Sequence, residues 1–202
     1  MKNINQLNKN IYNLRFNEII YFFRYLNQQY LDYAVLGDLT NFPKKITSDV
    51  DIYINFKKIK EIKILIRKFA KKRKLNVSNI VQHEYNSYSF NLTKKYKDNY
   101  FYISIDICNS FTLNNLDLID LSKLKKEKIL LKKMHYLTLN KKDNIYYYLI
   151  RKVLKGDIDN KSYSYLRKNI KLLNLNNLLN SKNKKIILNI FKYKDQSAFI
   201  KK

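Results

Sequence analysis

Two aspartates separated by a single apolar residue are the part of this sequence that most directly suggests chemistry. In the segment SDVDI, Asp49 and Asp51 flank Val50. Because residues i and i+2 of a β-strand lie on the same face, both carboxylates are expected to project together. Adjacent anions repel each other unless a cation lies between them, and oxygen ligands near phosphate groups favour Mg²⁺. The spacing predicts a magnesium site on a strand; an acidic, solvent-facing strand edge is the alternative.

A third aspartate, Asp106, lies in a second strand-like segment, residues 100–108. The apolar residues of one face of that segment are Phe101, Ile103, Ile105 and Ile107, and Asp106 lies on the other face. A carboxylate within such a run needs a partner, because an unpaired buried charge is costly. Alone, Asp106 is typical of a structural carboxylate. With Asp49 and Asp51 it predicts the carboxylate triad that two-metal phosphoryl transfer requires.

Gly37 is one of only two glycines in the 202 residues, and it follows a strand-like segment, DYAVL, at residues 32–36. A glycine in that place indicates a positive φ or a close approach of the backbone to another group. An ordinary tight turn is the alternative. Residues 38–47 contain the only proline, Pro43, and are predicted to form a loop.

Taken in order, VLGDLTNFPKKITSDVDIYI and the later FYISIDI resemble the DNA-polymerase-β-like nucleotidyltransferase superfamily. The pattern of that family is an apolar strand, a glycine followed by a small residue, a loop, Asp-apolar-Asp-apolar, and a third aspartate on another strand. The segments VLGD and SDVDI, with the proline-containing loop between them, also resemble small nucleotidyltransferase-like proteins encoded among bacterial surface-polysaccharide genes. The resemblance is specific over residues 30–108 and extends to the rest of the chain only in outline.

The resemblance implies a nucleotidyltransferase that moves a nucleoside monophosphate from a triphosphate such as ATP to a hydroxyl acceptor. Asp49, Asp51 and Asp106 would be its catalytic, metal-binding residues, and Mg²⁺ its cofactor, with Mn²⁺ as an alternative. The expected nucleotide-binding residues are Gly37, Asp38, Lys44, Lys45 and Ser48. The polysaccharide-gene resemblance implies a sugar, a sugar phosphate or another small-molecule acceptor.

Asp38 departs from the family pattern, because the family places Ser or Gly after the glycine, where a triphosphate is cradled. An anion there would repel the phosphates unless Asp38 points away or positions an acceptor. The departure leaves open a relative that binds nucleotides as a binding module without transfer. Transfer to an RNA end is the other alternative, which the charge of the chain favours.

The chain carries 41 Lys and Arg against 16 Asp and Glu, a formal charge of +25. Part of the lysine reflects an amino-acid usage rich in Lys, Asn, Ile and Tyr, which AT-rich codons encode. The remaining positive field favours polyanions, including nucleotides, nucleic acid and anionic membrane surfaces. No known RNA- or DNA-binding module accompanies it. A third alternative is therefore a basic interaction protein that uses no nucleotide.

Several other classes of protein are excluded or disfavoured by what the sequence contains. A single cysteine, Cys108, excludes an internal disulfide framework, and His83 and His135 lack the spacing of zinc ligands. P-loop, dinucleotide-binding and hydrolase motifs are absent. No apolar stretch is long enough to span a bilayer, and no secretory signal is recognisable, so we expect a cytoplasmic protein.

The order of strand-like and helical patterns predicts an α+β fold: a small mixed β-sheet with flanking helices, followed by an α-helical C-terminal part. The expected domains are residues 1–115 and 116–202. Strands are predicted at 32–36, 49–54, 80–83, 88–92 and 100–108. Helices are predicted at 14–29, 56–74, 118–125, 141–155, 161–173 and 184–191. Gly156 lies where a helix would end.

Overall fold

The computed structural model describes residues 2–44, 46, 49–97, 99–131 and 134–173. Its helices are α1 (Lys2–Gln28), α2 (Ile59–Arg73), α3 (Lys141–Lys155) and α4 (Asn160–Asn169). Its strands are β1 (Tyr33–Val35), β2 (Asp49–Ile54), β3 (Asn76–Glu84), β4 (Ser87–Tyr96), β5 (Asn99–Cys108), β6 (Phe111–Leu113), β7 (Leu116–Ile119), β8 (Lys126–Leu131) and β9 (Met134–Leu139). The α+β fold class predicted from the sequence is confirmed.

Seven of these strands form one mixed sheet in the order β3-β4-β5-β2-β1-β9-β8. The β2–β5 and β1–β9 pairs are parallel, and the other pairs of this sheet are antiparallel. Strands β6 and β7 form a separate two-stranded hairpin. Strands β2 and β5, which carry the predicted triad, therefore lie side by side in the interior of the sheet.

The alternation of apolar and polar residues along β5 and β2 explains where the core lies. Ile103, Ile105 and Ile107 are completely buried, as are Ile52 and Ile54. Each such side chain contributes about 1.5–3 kcal/mol when it leaves water. The polar residues of the same strands, which alternate with them, lie on the opposite face of the sheet.

Helices α1 and α2 share this core because each has an apolar stripe at helical spacing. The stripe of α2 buries Ile62, Ile66 and Phe69. Phe22 of α1 meets Phe69 edge-on, with 4.9 Å between the ring centroids. The remaining surface of α2 carries its lysines in water, which is the usual division of an amphipathic helix.

The chain separates into two compact units, Met1–Asn140 and Lys141–Lys202. In the described part of the second unit, α3 and α4 bury a small core of their own, made of Ile145, Tyr148, Leu149, Leu166 and Leu173. Helix α3 coincides with its predicted range, and α4 is followed by a 3₁₀ turn at Ile170–Leu172. The helix predicted at residues 184–191 lies outside the described residues.

The helix predicted at residues 118–125 is wrong. Strand β7 continues to Ile119, a 3₁₀ turn occupies Leu121–Lys123, and β8 begins at Lys126. Strands β6 to β9 were not predicted from the sequence; β8 is an edge strand of the main sheet, and its sequence, KEKILL, lacks regular alternation. The hairpin of β8 and β9 joins the main sheet, and both strands belong to the first compact unit, which reaches Asn140.

No helix among the described residues is long and apolar enough to cross a membrane.

Candidate active site

The parallel pairing of β2 with β5 brings the three predicted aspartates together. In the register of this pair, Asp51 lies opposite Asp106, and Asp49 lies opposite Ser104. Residues that face one another on neighbouring strands project to the same side of a sheet. The two-residue spacing of Asp49 and Asp51 then places all three carboxylates on the face of the sheet opposite the isoleucine core.

The three carboxylates form a tight cluster. One oxygen from each of Asp49, Asp51 and Asp106 lies within 4.8 Å of the other two. Two unit charges at that separation repel each other by at least about 1 kcal/mol in water and about 3.5 kcal/mol at an effective dielectric constant near 20. Among the described residues this is the only group of three acidic, histidine or cysteine side chains with that geometry. Its oxygen-only ligand set suits a hard divalent cation such as Mg²⁺.

Asp106 occupies the most enclosed position of the three. Its Oδ1 atom is buried and has no hydrogen-bond partner within the part of the chain that the structure describes. Burial raises the pKa of this carboxyl above its ordinary value, and the nearby charges of Asp51 and Asp49 raise it further. A hydrogen bond from Ser89 and the charge of His83 lower the pKa. The net effect is that a negative charge on Asp106 is unfavourable unless a cation compensates it.

Ser89 belongs to the surroundings of the triad, although the sequence analysis did not identify it. It lies opposite Asp106 in the antiparallel β4–β5 pair and is almost fully buried. Its hydroxyl also shares a hydrogen bond of 3.0 Å with the hydroxyl of Ser104. A serine in the SYSF segment of a strand gave no separate signal, because only the register of β4 against β5 shows what it faces.

The loop after β1 starts next to the triad. The N–H of Leu36 donates a hydrogen bond of 3.0 Å to the carbonyl of Asp51, which ties the end of β1 to the middle of β2. Gly37 follows with a φ of 95°, a conformation that side-chain-bearing residues rarely adopt. The predicted reason for a glycine at this position, a positive φ, is therefore present.

The carboxylate of Asp38 turns back onto its own loop. Its Oδ1 accepts hydrogen bonds from the N–H of Thr40 at 3.0 Å and from the hydroxyl of Thr40 at 2.6 Å. This side-chain turn is a common role for aspartate in loops. Of the other residues expected to bind nucleotide, Lys44 is exposed on this loop, and Lys45 and Ser48 lie outside the described residues.

A cation at the edge of the same face was also missed by the sequence analysis. Arg15 of α1 donates a hydrogen bond from Nε to the carbonyl of Tyr102 at 2.9 Å. Its guanidinium carbon lies 4.6 Å from the centroid of the Tyr102 ring. Tyr102 lies two residues before Ser104 on β5, on the face that carries the triad. The helical pattern of α1 could not show where this arginine meets the sheet.

Comparison with known proteins identifies the fold. No family model and no curated protein matches this sequence. Among solved structures, an antigenic nucleotidyltransferase-like protein from Paracoccidioides brasiliensis superposes with a TM-score of 0.54 at 16% identity, covering 95% of this chain and 92% of that chain. The fold is nucleotidyltransferase-like. At this identity the similarity shows the fold alone.

Two structures from Helicobacter pylori also match over most of their length. One, a proposed nucleotidyltransferase, has a TM-score of 0.41 at 12% identity and covers 92% of each chain. The other, JHP933, has a TM-score of 0.35 at 10% identity and covers 94% of this chain and 92% of its own. Both TM-scores are below 0.5, so the fold assignment depends on the protein from Paracoccidioides brasiliensis.

Proposed function

We propose that this chain is a metal-dependent nucleotidyltransferase, which transfers a nucleoside monophosphate from a nucleoside triphosphate to a hydroxyl group. The observation that carries this proposal is the cluster of Asp49, Asp51 and Asp106 with oxygens within 4.8 Å of one another, on a sheet with a nucleotidyltransferase-like fold. In the reaction, the acceptor oxygen forms a bond to the α-phosphorus, the bond from that phosphorus to the pyrophosphate group breaks, and the hydroxyl proton is removed.

The residues present fit a divalent cation. The buried Oδ1 of Asp106 has no partner among the described residues, and the three like charges are close enough to need compensation. Asp49 and Asp51 would hold a Mg²⁺ or Mn²⁺ ion together with the triphosphate, and Asp106 would complete the ligand set. Such an ion supplies Lewis-acid stabilisation of the charge that develops on the phosphate oxygens.

Asp106 is also the residue that we assign to the proton of the acceptor hydroxyl. Burial raises the pKa of its carboxyl when no cation is bound, whereas a cation beside it would lower that pKa, so the assignment rests on the enclosed position of Asp106 opposite Asp51. Ser89 lies opposite Asp106 in the register of the sheet and lowers that pKa through its hydrogen bond, so it holds the carboxyl in position and limits the shift. Asp49, which is exposed, is the member of the triad that an incoming triphosphate would meet first.

The glycine loop is proposed to receive the phosphates. Gly37 has a φ of 95°, and the N–H of the preceding Leu36 is bonded to the carbonyl of Asp51, so this loop starts beside the triad. The carboxylate of Asp38 is engaged with Thr40, which favours a structural role for Asp38 over repulsion of a triphosphate. Lys44, Lys45 and Ser48 remain proposed phosphate-binding residues.

Other parts of the proposal depend on the sequence resemblance alone. These are ATP as the donor, a sugar or sugar phosphate as the acceptor, a role in surface-polysaccharide metabolism and a cytoplasmic location. The two domains expected at residues 1–115 and 116–202 also stay a prediction as functional units. A binding module that has lost transfer is the competing function, and the engagement of Asp38 with Thr40 removes one argument for it.

A thermal-shift titration tests the site directly. The full chain is titrated with ATP, CTP, GTP and UTP, with and without Mg²⁺, beside an Asp49→Asn/Asp51→Asn variant and a Glu127→Gln control on the exposed side of β8. We expect one triphosphate to raise Tm only with Mg²⁺, in the wild type and the control but not in the double variant. Release of pyrophosphate on adding an acceptor would separate an enzyme from a binding module. Folded protein that no triphosphate stabilises would contradict the proposal.

A further inference from the structure

Two exposed tyrosines lie in line with the triad on β5. Tyr100 is 68% exposed and Tyr102 is 48% exposed. Both alternate with buried core residues, so they lie on the same face as Ser104 and Asp106. At about 3.3–3.4 Å per residue, the strand carries this face from Asp106 to Tyr100 over about 20 Å. The two rings lie in a row on one strand, so they form a continuous aromatic stripe on this face of the sheet.

The neighbouring strand β4 provides polar and basic groups along the same line. Opposite Ser104, Tyr102 and Tyr100 lie Asn91, Thr93 and Lys95, respectively. Lys95 is exposed, and Asn91 is partly buried with no hydrogen bond from its side-chain amide to any described residue. Along this line the surface changes from carboxylates, through an amide and hydroxyls, to aromatic rings with a lysine beside them.

Arg15 adds a second cation beside the rings. Its guanidinium lies against the Tyr102 ring and is held there by the hydrogen bond to the Tyr102 carbonyl. The contact covers one side of the ring and fixes its orientation. We call the surface formed by Tyr100, Tyr102, Asn91, Lys95 and Arg15 the tyrosine strip.

We propose that the tyrosine strip binds single-stranded nucleic acid and presents its terminal hydroxyl to Asp106. This inference rests on the proposed nucleotidyl transfer, and it names a nucleic-acid acceptor in place of the sugar or sugar phosphate that the sequence resemblance implies. Bases of an unpaired strand stack on Tyr102 and Tyr100, the backbone phosphates lie near Arg15 and Lys95, and the Asn91 amide hydrogen-bonds to the nucleotide next to the reacting end. Aromatic platforms beside cations are the usual means of binding single strands without strong sequence preference.

The dimensions and the charge favour this acceptor over a small molecule. A sugar phosphate positioned at Asp106 cannot also reach a ring that lies about 20 Å away along the strand, whereas an oligonucleotide covers that length. A neutral sugar would gain nothing from the two cations. A base-paired duplex would not have base faces available for the tyrosines. The formal charge of +25 attracts any polyanion to the protein, and the strip provides a defined place on it.

Binding of a defined oligonucleotide tests the proposal without requiring turnover. The probe is a short oligouridylate labelled with fluorescein at its 5′ end, and fluorescence anisotropy is measured with the full chain in low salt and EDTA. We expect Tyr102→Ala and Tyr100→Ala each to weaken binding about fivefold or more, the lower end for one base on one ring. Tyr102→Phe should bind like the wild type, because it retains the ring.

Matched controls separate the strip from the general charge of the protein. Tyr30 is 96% exposed in a turn with φ of 52°, so Tyr30→Asn removes an exposed ring at a position where asparagine is tolerated, and it should leave binding unchanged. Lys95→Gln should reduce the slope of log affinity against log salt by about 0.7, the loss of one phosphate contact with a single strand. Lys60→Gln removes the same charge from the exposed side of α2 and should change the slope less.

Each alternative result decides against the proposal in its own way. Equal binding by the wild type, Tyr100→Ala and Tyr102→Ala would place the oligonucleotide elsewhere. If a triphosphate stabilises the protein in the presence of magnesium but no oligonucleotide binds, the proposed transferase function would stand and the proposed nucleic-acid acceptor would be wrong. Preference for anionic phosphatidylglycerol vesicles over the oligonucleotide would also reject it. Tyrosine-dependent binding without any triphosphate effect would instead keep the strip and reject the transfer reaction.

Discussion

Replacement of Asp106 by asparagine should stabilise the protein while removing its proposed function. In the absence of metal the wild-type carboxylate is buried, has an oxygen without a partner among the described residues, and lies within 4.8 Å of two other carboxylates. Each of those repulsions is worth at least about 1 kcal/mol. Part is relieved because the pKa of Asp106 is raised, so that a proton is taken up more easily. We therefore expect Asp106→Asn to add about 1–3 kcal/mol to the free energy of unfolding, or roughly 2–12 °C in Tm for a chain of this size.

The assay is thermal unfolding in EDTA at neutral pH and low salt, followed by the same measurement with Mg²⁺ and a triphosphate. Asp117→Asn is the matched control, because the carboxylate of Asp117 accepts hydrogen bonds from Tyr85 at 2.5 Å, Ser110 at 2.7 Å and Thr112 at 3.0 Å. Loss of a well-bonded carboxylate should lower Tm. The two substitutions thus have opposite expected signs.

The pH dependence provides an independent check on the cause. A group whose folded-state pKa is raised stabilises the protein fully below its unfolded pKa, near 3.8 for aspartate, and loses that contribution as the pH rises through the folded pKa. In EDTA, the difference in Tm between Asp106→Asn and the wild type should therefore be smallest in acid and should increase as the pH rises through the folded pKa of Asp106. A Tm for Asp106→Asn that is below wild type at neutral pH, with magnesium-dependent stabilisation retained, would refute the reasoning.

Three further substitutions test the framework around the site. Glu18→Ala should lower the free energy of unfolding by about 3 kcal/mol in urea. Glu18 is 4% exposed and forms a salt bridge with Arg73 at 2.7 Å, so its removal would leave the Arg73 cation without this partner. Ile105→Ala should cost about 2–5 kcal/mol by the same measurement, because Ile105 is completely buried behind the triad. Asp159→Ala should shorten α4 and cost about 1 kcal/mol, measured by circular dichroism, because its carboxylate accepts from the Ser162 N–H at 2.6 Å. Hydrogen bonds from the side chain and the backbone N–H of Ser162 lower the pKa of Asp159. The contribution of Asp159 to stability is therefore present above the ordinary aspartate pKa and is lost as the pH falls through the folded pKa.

Much of the site could be predicted because its information is local. The two-residue spacing of Asp49 and Asp51 determines that they share a face, whatever the rest of the sheet does. The alternation of apolar and polar residues around Asp106 likewise shows that Asp106 lies on the face of its strand that is opposite the core. Both of these relations need only a few consecutive residues. The nucleotidyltransferase-like fold could be predicted from the sequence because these local patterns occur in a characteristic order around Gly37.

The parts that could not be predicted depend on pairings between distant segments. Asp51 and Ser89 both lie opposite Asp106 because of the registers in which β2 and β4 pair with β5. The periodicity of each segment alone does not determine the register between segments that are distant in the sequence. Strand β9 pairs with β1 through Val35 and Thr138, more than a hundred residues apart. The contact of Arg15 with Tyr102 is similar, because the α1 pattern shows an apolar stripe but not the strand at its edge.

The position of the triad in the sheet explains how the fold tolerates an unfavourable cluster of charges. Strands β2 and β5 each have a hydrogen-bonded neighbour on both sides, and their opposite face presents Ile52, Ile54, Ile103, Ile105 and Ile107, all completely buried. At about 1.5–3 kcal/mol for each side chain, that burial exceeds the few kcal/mol of carboxylate repulsion. The repulsion therefore cannot be relieved by separating the strands, and the carboxylates stay in place before any ligand arrives. A cation that binds there recovers the electrostatic cost without reorganising the backbone, which is the arrangement that favours catalysis through preorganised charge.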